Sequence, residues 1–312
     1  MSKTVVVAIG GNAITQSGQR GTVEEQLENL RACCDPVIDL VEEGYHVVLT
    51  HGNGPQVGCL LIQNETAKDQ VPQNPLDVCG AQTQGSLGYL IAQTLDNRMK
   101  ERGVAKEVAA VVTQVVVDPK DPKFQSPSKP VGPFYSQEEA QRLEREKGYV
   151  MVEDSGRGWR RVVASPKPLE LVEKAAVMAL AGAGFLTVTV GGGGIPVIRE
   201  GDALRGVEAV IDKDHASAVV AGEIQADTLL ILTGVDQVSV DFGKPTQRDL
   251  ETLSIADAKR YLAQGQFPAG SMGPKIEAVC RFVEEGGKEA IITSLPRLKD
   301  AMAGKAGTRI VP

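Results

Sequence analysis

Histidine is nearly absent from this 312-residue sequence: His46, His51 and His215 stand far apart, and no His-Glu-x-x-His occurs. No metal-ligand set is readable, and none is expected. The five cysteines (Cys33, Cys34, Cys59, Cys79, Cys280) form no Cys-x-x-Cys pair, and an odd number suits no disulfide framework. They are expected as reduced, mostly buried thiols. A basic excess is also missing. Lys plus Arg total 33 against 40 Asp plus Glu, a formal charge of −7, which argues against a nucleic-acid partner while leaving room for a local basic site. No apolar run approaches the roughly 18 residues of a membrane span. The first apolar run, Thr4–Ile9, ends at Gly10 and is too short for a secretion signal, so the expected compartment is the cytoplasm and no membrane partner is expected.

The common nucleotide motifs are lacking as well. The Gly-Lys pairs at 243–244, 287–288 and 304–305 are followed by Pro, Glu and Ala, so there is no G-x-x-x-x-G-K-[ST] loop. The first apolar run leads into Gly10-Gly11-Asn12-Ala13 rather than G-x-G-x-x-G. The protein-kinase signatures and the G-x-S-x-G elbow are missing too.

What is present is alternation. Short Val- and Ile-rich runs at Thr4–Ile9, 46–50, 108–117, 187–190, 209–211, 228–232 and 290–293 read as strands buried on both faces. Helical patterns fall between them: one capped by Thr22 with Glu25 and ending near Gly44, others over 81–102, 168–183, 214–224, 255–262 (Ser254 as cap) and 273–285. That order predicts an α/β fold, a mostly parallel sheet flanked by helices. One segment departs from it. From about 118 to 166 the chain turns to Pro, Lys and aromatics, including Trp159 beside Arg157, Arg160 and Arg161; this predicts an inserted subdomain with a hairpin near 149–164.

Glycine is concentrated where strands end: Gly10-Gly11-Asn12, His51-Gly52-Asn53-Gly54-Pro55, and Gly191 to Gly194. In an open parallel sheet ligands bind beyond the C-terminal ends of the strands, and glycine lets backbone N–H groups approach an anion. Three such turns predict one amide-lined crevice. Lys213, at a strand end in Ile211-Asp212-Lys213-Asp214, and Lys275, in Gly270-Ser271-Met272-Gly273-Pro274-Lys275, are well placed to neutralise phosphate. Asp214 is either a helix cap or the group that holds those lysines in place. Lys129 lies in the Pro-rich insertion.

Together, Ala8 to Ala13, Thr50 to Gly58, Lys129-Pro130-Val131-Gly132-Pro133, Gly191 to Ile195, Val210 to Asp214 and Gly270 to Lys275 resemble the amino acid kinase family, and within it the members that phosphorylate carbamate. The resemblance spans essentially the whole chain. It implies a three-layer αβα sandwich around an open sheet of about eight strands, with a small protruding subdomain. Residues 1–205 would form the lobe for the phosphoryl acceptor and 206–312 the nucleotide lobe, on one continuous sheet. It further implies reversible transfer between ATP and carbamate to give ADP and carbamoyl phosphate, Mg²⁺ carried with the nucleotide, a homodimer, and use toward ATP synthesis in amino-acid (arginine) breakdown. Relatives with larger acceptors carry a lysine two residues before the Gly-Gly pair, where this chain has Ala8, and Lys129 would supply the missing cation. On this reading Lys129, Lys213, Asp214 and Lys275 are catalytic. Gly10, Gly11, Asn12, Gly52, Asn53 and Gly54 would bind carbamate and the transferring group, and Thr233, Gly234, Val235, Met272 and Gly273, with Lys213 and Lys275, the nucleotide. Two alternatives stand beside it: a kinase of the same fold acting on another carboxylate or a phosphonate, and a non-catalytic nucleotide-binding regulator.

Overall fold

The computed structural model describes residues 3–16, 18–154, 156–268 and 270–312, without the Asn12 side chain. Strand Thr4–Ile9 shows how the layers arise. Side chains alternate across a strand, so Val5, Val7 and Ile9 enter one apolar core while Val6 and Ala8 enter another. The first core is covered by helices Val23–Glu42 and Leu76–Glu101, the second by Lys213–Glu223 and Met272–Glu284. Both faces of the strand are therefore dry, which is why its sequence is an unbroken apolar run. The result is the three-layer α/β architecture predicted above.

The sheet has eight strands in the order Thr252–Ser254, Thr308–Val311, Glu289–Ser294, Thr228–Thr233, Thr4–Ile9, His46–His51, Leu186–Val188, Val108–Ala110. Every neighbouring pair is parallel except Glu289–Ser294 with Thr308–Val311. No helix among the described residues is long and apolar enough to cross a membrane. The Val23–Glu42 helix starts at the foreseen box, with the Thr22 hydroxyl accepting from the Glu25 N–H and the Glu25 carboxylate accepting from Thr22 N–H.

Three predicted elements differ. The apolar run 108–117 is two strands in two sheets: Val108–Ala110 closes the large sheet, and Gln114–Val117 pairs with Ile195–Glu200 and Pro168–Leu171 in a four-stranded one. The chain changes sheet at Thr113, whose N–H donates to Gln84 Oε1 at 2.7 Å and whose hydroxyl accepts the Val190 N–H at 2.7 Å. Continuous hydrophobicity concealed that step. The predicted helix over 168–183 begins only at Lys174 (Lys174–Gly182), because Pro168–Leu171 is a strand. Residues 209–211 make a single bridge, Ala164 to Ala209, and no strand.

The insertion carries its own small structure. Lys129–Tyr135 pairs with Trp159–Val163, which pairs in turn with Val150–Glu153; this last pair is the hairpin expected near 149–164. Helix Gln137–Lys147, which the sequence reading missed, covers the sheet through Ala140 and Leu143, which pack with Met151 of strand Val150–Glu153 and with Tyr135, Tyr149 and Trp159.

Candidate active site

The strands Thr4–Ile9, His46–His51, Thr228–Thr233 and Glu289–Ser294 end side by side, and a cleft of about 810 Å³ opens beyond their C-terminal ends. Its floor on one side is built from two glycine turns in contact. A Cβ placed on Gly52 would lie 2.9 Å from the Gly11 nitrogen, so only glycine permits this approach. The Gly52 N–H is already given to the Ile9 carbonyl at 3.1 Å. Donation to a ligand is thus left to neighbouring amides, such as those of the first turn of helix Gly54–Ala67, which have no partner within the helix. Pro55 follows at N2, where its missing N–H costs nothing.

The Gly191 to Gly194 turn works differently from the amide-lined turn that the sequence predicts. Only Gly192 reaches the cleft. Each glycine instead leaves room for a neighbour: a Cβ would come within 2.5 Å of His51 Nε2 at Gly191, 2.2 Å of Asn53 Nδ2 at Gly192, 2.2 Å of the Ile211 carbonyl at Gly193 and 2.3 Å of Val115 at Gly194. Asn53, held there, donates to Thr83 Oγ1 at 2.8 Å. His51 is buried; its Nδ1–H donates to the Gly52 carbonyl at 3.0 Å, which fixes the tautomer. Burial, seconded by the nearby Lys213 ammonium, lowers its pKa to about 4. It is a neutral prop under the turn.

The opposite wall is the start of helix Lys213–Glu223. Asp212 is its N-cap, accepting the Asp214 N–H on Oδ1 at 2.9 Å. Asp214, 2 % exposed, faces two ammonium groups: Lys213 Nζ at 2.6 Å on one oxygen and Lys275 Nζ at 2.7 Å on the other. Burial by itself would raise the Asp214 pKa, but the two lysines overcome it and hold it at about 2. The helix is pinned to the glycine side because the Ser217 hydroxyl donates to the Lys213 carbonyl at 2.6 Å and lies 2.6 Å from Thr50 Oγ1. Lys275 arrives from the first turn of Met272–Glu284, so two helix N-termini and two lysines converge on one spot.

Lys129 reaches the same cleft from the inserted subdomain. Its Nζ lies 3.2 Å from Asp212 Oδ2, and its side chain is 44 % exposed. Gly10, Gly11, Gly52, Asn53, Gly54, Thr233 and Gly234 also line the cleft, whereas Val235, Met272 and Gly273 do not. Met272 packs toward the core, and Gly273 sits where a Cβ would be 3.2 Å from the Pro268 carbonyl. The backbone of Asn12 belongs to the first turn; its side chain lies outside the described structure.

A backbone-lined end facing a lysine pair on a shared carboxylate suits a reaction between two anions. The sequence profile of the amino acid kinase family matches residues 3–294. This chain belongs to the amino acid kinase family. Its relatives there include the carbamate kinase of Thermococcus kodakarensis, 51 % identical over 312 residues and covering 99 % of both chains. The carbamate kinase of Clostridium perfringens is 48 % identical over 311 residues, 98 % of this chain and 99 % of that one. A solved structure of the carbamate kinase of Giardia lamblia bound to AMP-PNP matches with a TM-score of 0.94 at 43 % identity, covering 99 % of this chain and 98 % of that one.

Two charged cleft residues of this amino acid kinase escaped the sequence reading. Asp212 stands in the quoted Ile211 to Asp214 segment, and an Asp directly before a helix is a strong cap signal; the second aspartate drew attention away from it. Asp236 lines the cleft beside the Ser294 hydroxyl, which donates to it. Its signal was its place directly after Thr233-Gly234-Val235, at the end of strand Thr228–Thr233.

Proposed function

We propose that this amino acid kinase is a carbamate kinase, transferring the terminal phosphoryl group reversibly between MgATP and carbamate, and that it works chiefly toward ATP from carbamoyl phosphate and MgADP. The single observation that carries the reading is the convergence of Lys129, Lys213 and Lys275 on a cleft whose other end is backbone turns. An acceptor as small as carbamate needs no side-chain pocket, and Ala8 leaves the first strand without a cation, so that Lys129 supplies the third one.

In the ATP-forming direction the P–O bond to the carbamate oxygen breaks as a P–O bond to the terminal oxygen of ADP forms. Carbamate leaves as an anion and no proton need move, so a general base is unnecessary. Catalysis is alignment plus neutralisation of charge. Amides of the Gly10–Asn12 and Asn53–Gly54 turns hold the carbamoyl end, and Lys129 neutralises the group in flight. Lys213 and Lys275 take the nucleotide phosphates, with Asp214 orienting both, and Thr233 and Gly234 border the nucleotide. Mg²⁺ enters as part of the nucleotide substrate. Residues 1–205 then serve as the acceptor lobe and 206–312 as the nucleotide lobe. A cytoplasmic homodimer serving arginine breakdown completes the proposal.

The test is ATP formation from carbamoyl phosphate and MgADP in a luciferase-coupled assay. Rapid ATP production supports the reading. Folded protein that binds ADP but makes no ATP overturns it and directs attention to other carboxylates and to phosphonates.

A further inference from the structure

The cleft meant for two polyanions is formally neutral: Lys129, Lys213 and Lys275 are matched by Asp212, Asp214 and Asp236. An arriving phosphate must therefore either share a lysine with its carboxylate, as at Asp214, or draw the lysine away. The carboxylates differ in how readily they allow this. Asp214 is buried with each oxygen on its own ammonium at 2.6 and 2.7 Å, and Asp236 accepts the Ser294 hydroxyl. Asp212 holds Lys129 by one oxygen at 3.2 Å, and that lysine is the most exposed of the three. The other Asp212 oxygen stays on the Asp214 N–H, so the helix cap survives when Lys129 leaves.

We propose that Asp212 is the positioning residue for Lys129, stationing the ammonium at the cleft while it is empty and yielding it to the phosphoryl group of the phosphorylated substrate. Resting on the carbamate kinase reading, this makes the Asp212 charge a determinant of acyl-phosphate affinity. A phosphate dianion outcompetes a single carboxylate for the ammonium, and every bound phosphate must offset the contact it replaces.

Asn caps a helix as well as Asp, so Asp212→Asn removes the charge and keeps the cap; Asp212→Ser is a second capping variant should the first fold poorly. The KM for carbamoyl phosphate and the inhibition constant of inorganic phosphate should both fall about three- to fivefold, the scale of one partly exposed charge pair. In a Lys129→Met background the same change should have less than half that effect, because no lysine remains to be released. Constants that stay the same or rise in Asp212→Asn overturn the proposal. So does an equal fall with and without Lys129, which would mean plain repulsion by Asp212. Wild-type ATP formation is the separate control on the reaction itself: its absence condemns the carbamate kinase reading, while direct binding of inorganic phosphate to the same variants still judges the hand-over.

Discussion

The molecule presents cations to its cleft in two ways. Lys213 and Lys275 rise from helices whose other faces fill the main core, and they share a buried aspartate. Lys129 comes from an inserted sheet with a separate small core, half-exposed and held by one contact. The first pair is part of the architecture, so its position comes with folding. The second is delivered by a module tied to the body partly by ion pairs, Lys147 to Glu65 at 2.9 Å and Arg161 to Glu208. An apolar patch of Val57, Leu76 and Cys79 against Val131 and Val163 lies between them. On the hand-over proposed above, a site that admits and releases polyanions gains from one cation that can be repositioned beside two that are held.

The difference can be broken most severely at Asp214. Asp214→Asn leaves two close ammonium groups without their shared counter-ion, and should cost about 3–5 kcal/mol in urea unfolding together with nearly all ATP formation. A variant of normal stability would show that the pair is not built into the core. Lys129→Ala should do the converse. Its kcat should fall about 10²- to 10³-fold, with unfolding changed by less than about 0.5 kcal/mol and the KM for MgADP kept; a loss of stability like that of Asp214→Asn would erase the distinction.

Mild acid should sharpen it. Asp214, depressed from an ordinary value near 3.8 to about 2, gives stability that is complete above pH 3.8 and lost only as pH falls through 2. His51 is depressed from 6.5 to about 4, so the unfolded chain takes up the proton first. Stability should therefore drop between pH 6.5 and 4, by on the order of 3 kcal/mol. Urea midpoints at pH 7.5 and 4.5 measure this, and equal midpoints would remove His51 from the account. The smallest effect belongs to the subdomain ties. Glu208→Gln should shift unfolding by less than about 1 kcal/mol and raise the KM for carbamoyl phosphate roughly twofold, the scale of such a pair. A large loss of stability there would mean that the module is anchored as firmly as the core.

The sequence announced the strands of the sheet centre because Val5 to Ile9 and Thr228 to Leu232 are dry on both faces and need no polar alternation. It was less informative wherever hydrophobicity continued across a change of partner, as at Thr113, or where a helix begins with Gly54 and Pro55 and resembles a turn. The lysines and Asp214 were legible because charge at a strand end is conspicuous. The role of Gly191 to Gly194 was not, since a glycine that frees an amide and one that makes way for His51 or Asn53 are written with the same letter. Asp212 was hidden by its ordinary job as a cap.

The pairing of Thr4–Ile9 with Thr228–Thr233 also has a kinetic side. Val5 lies opposite Thr228 in the register, so the middle strand of the sheet is made first on the ribosome and waits for a neighbour synthesised more than two hundred residues later. Contacts so distant in sequence slow folding, and an apolar strand with an open edge invites aggregation meanwhile. Truncated chains that stop short of residue 228 are thus poor candidates for soluble expression. The two halves should regain solubility only when produced together.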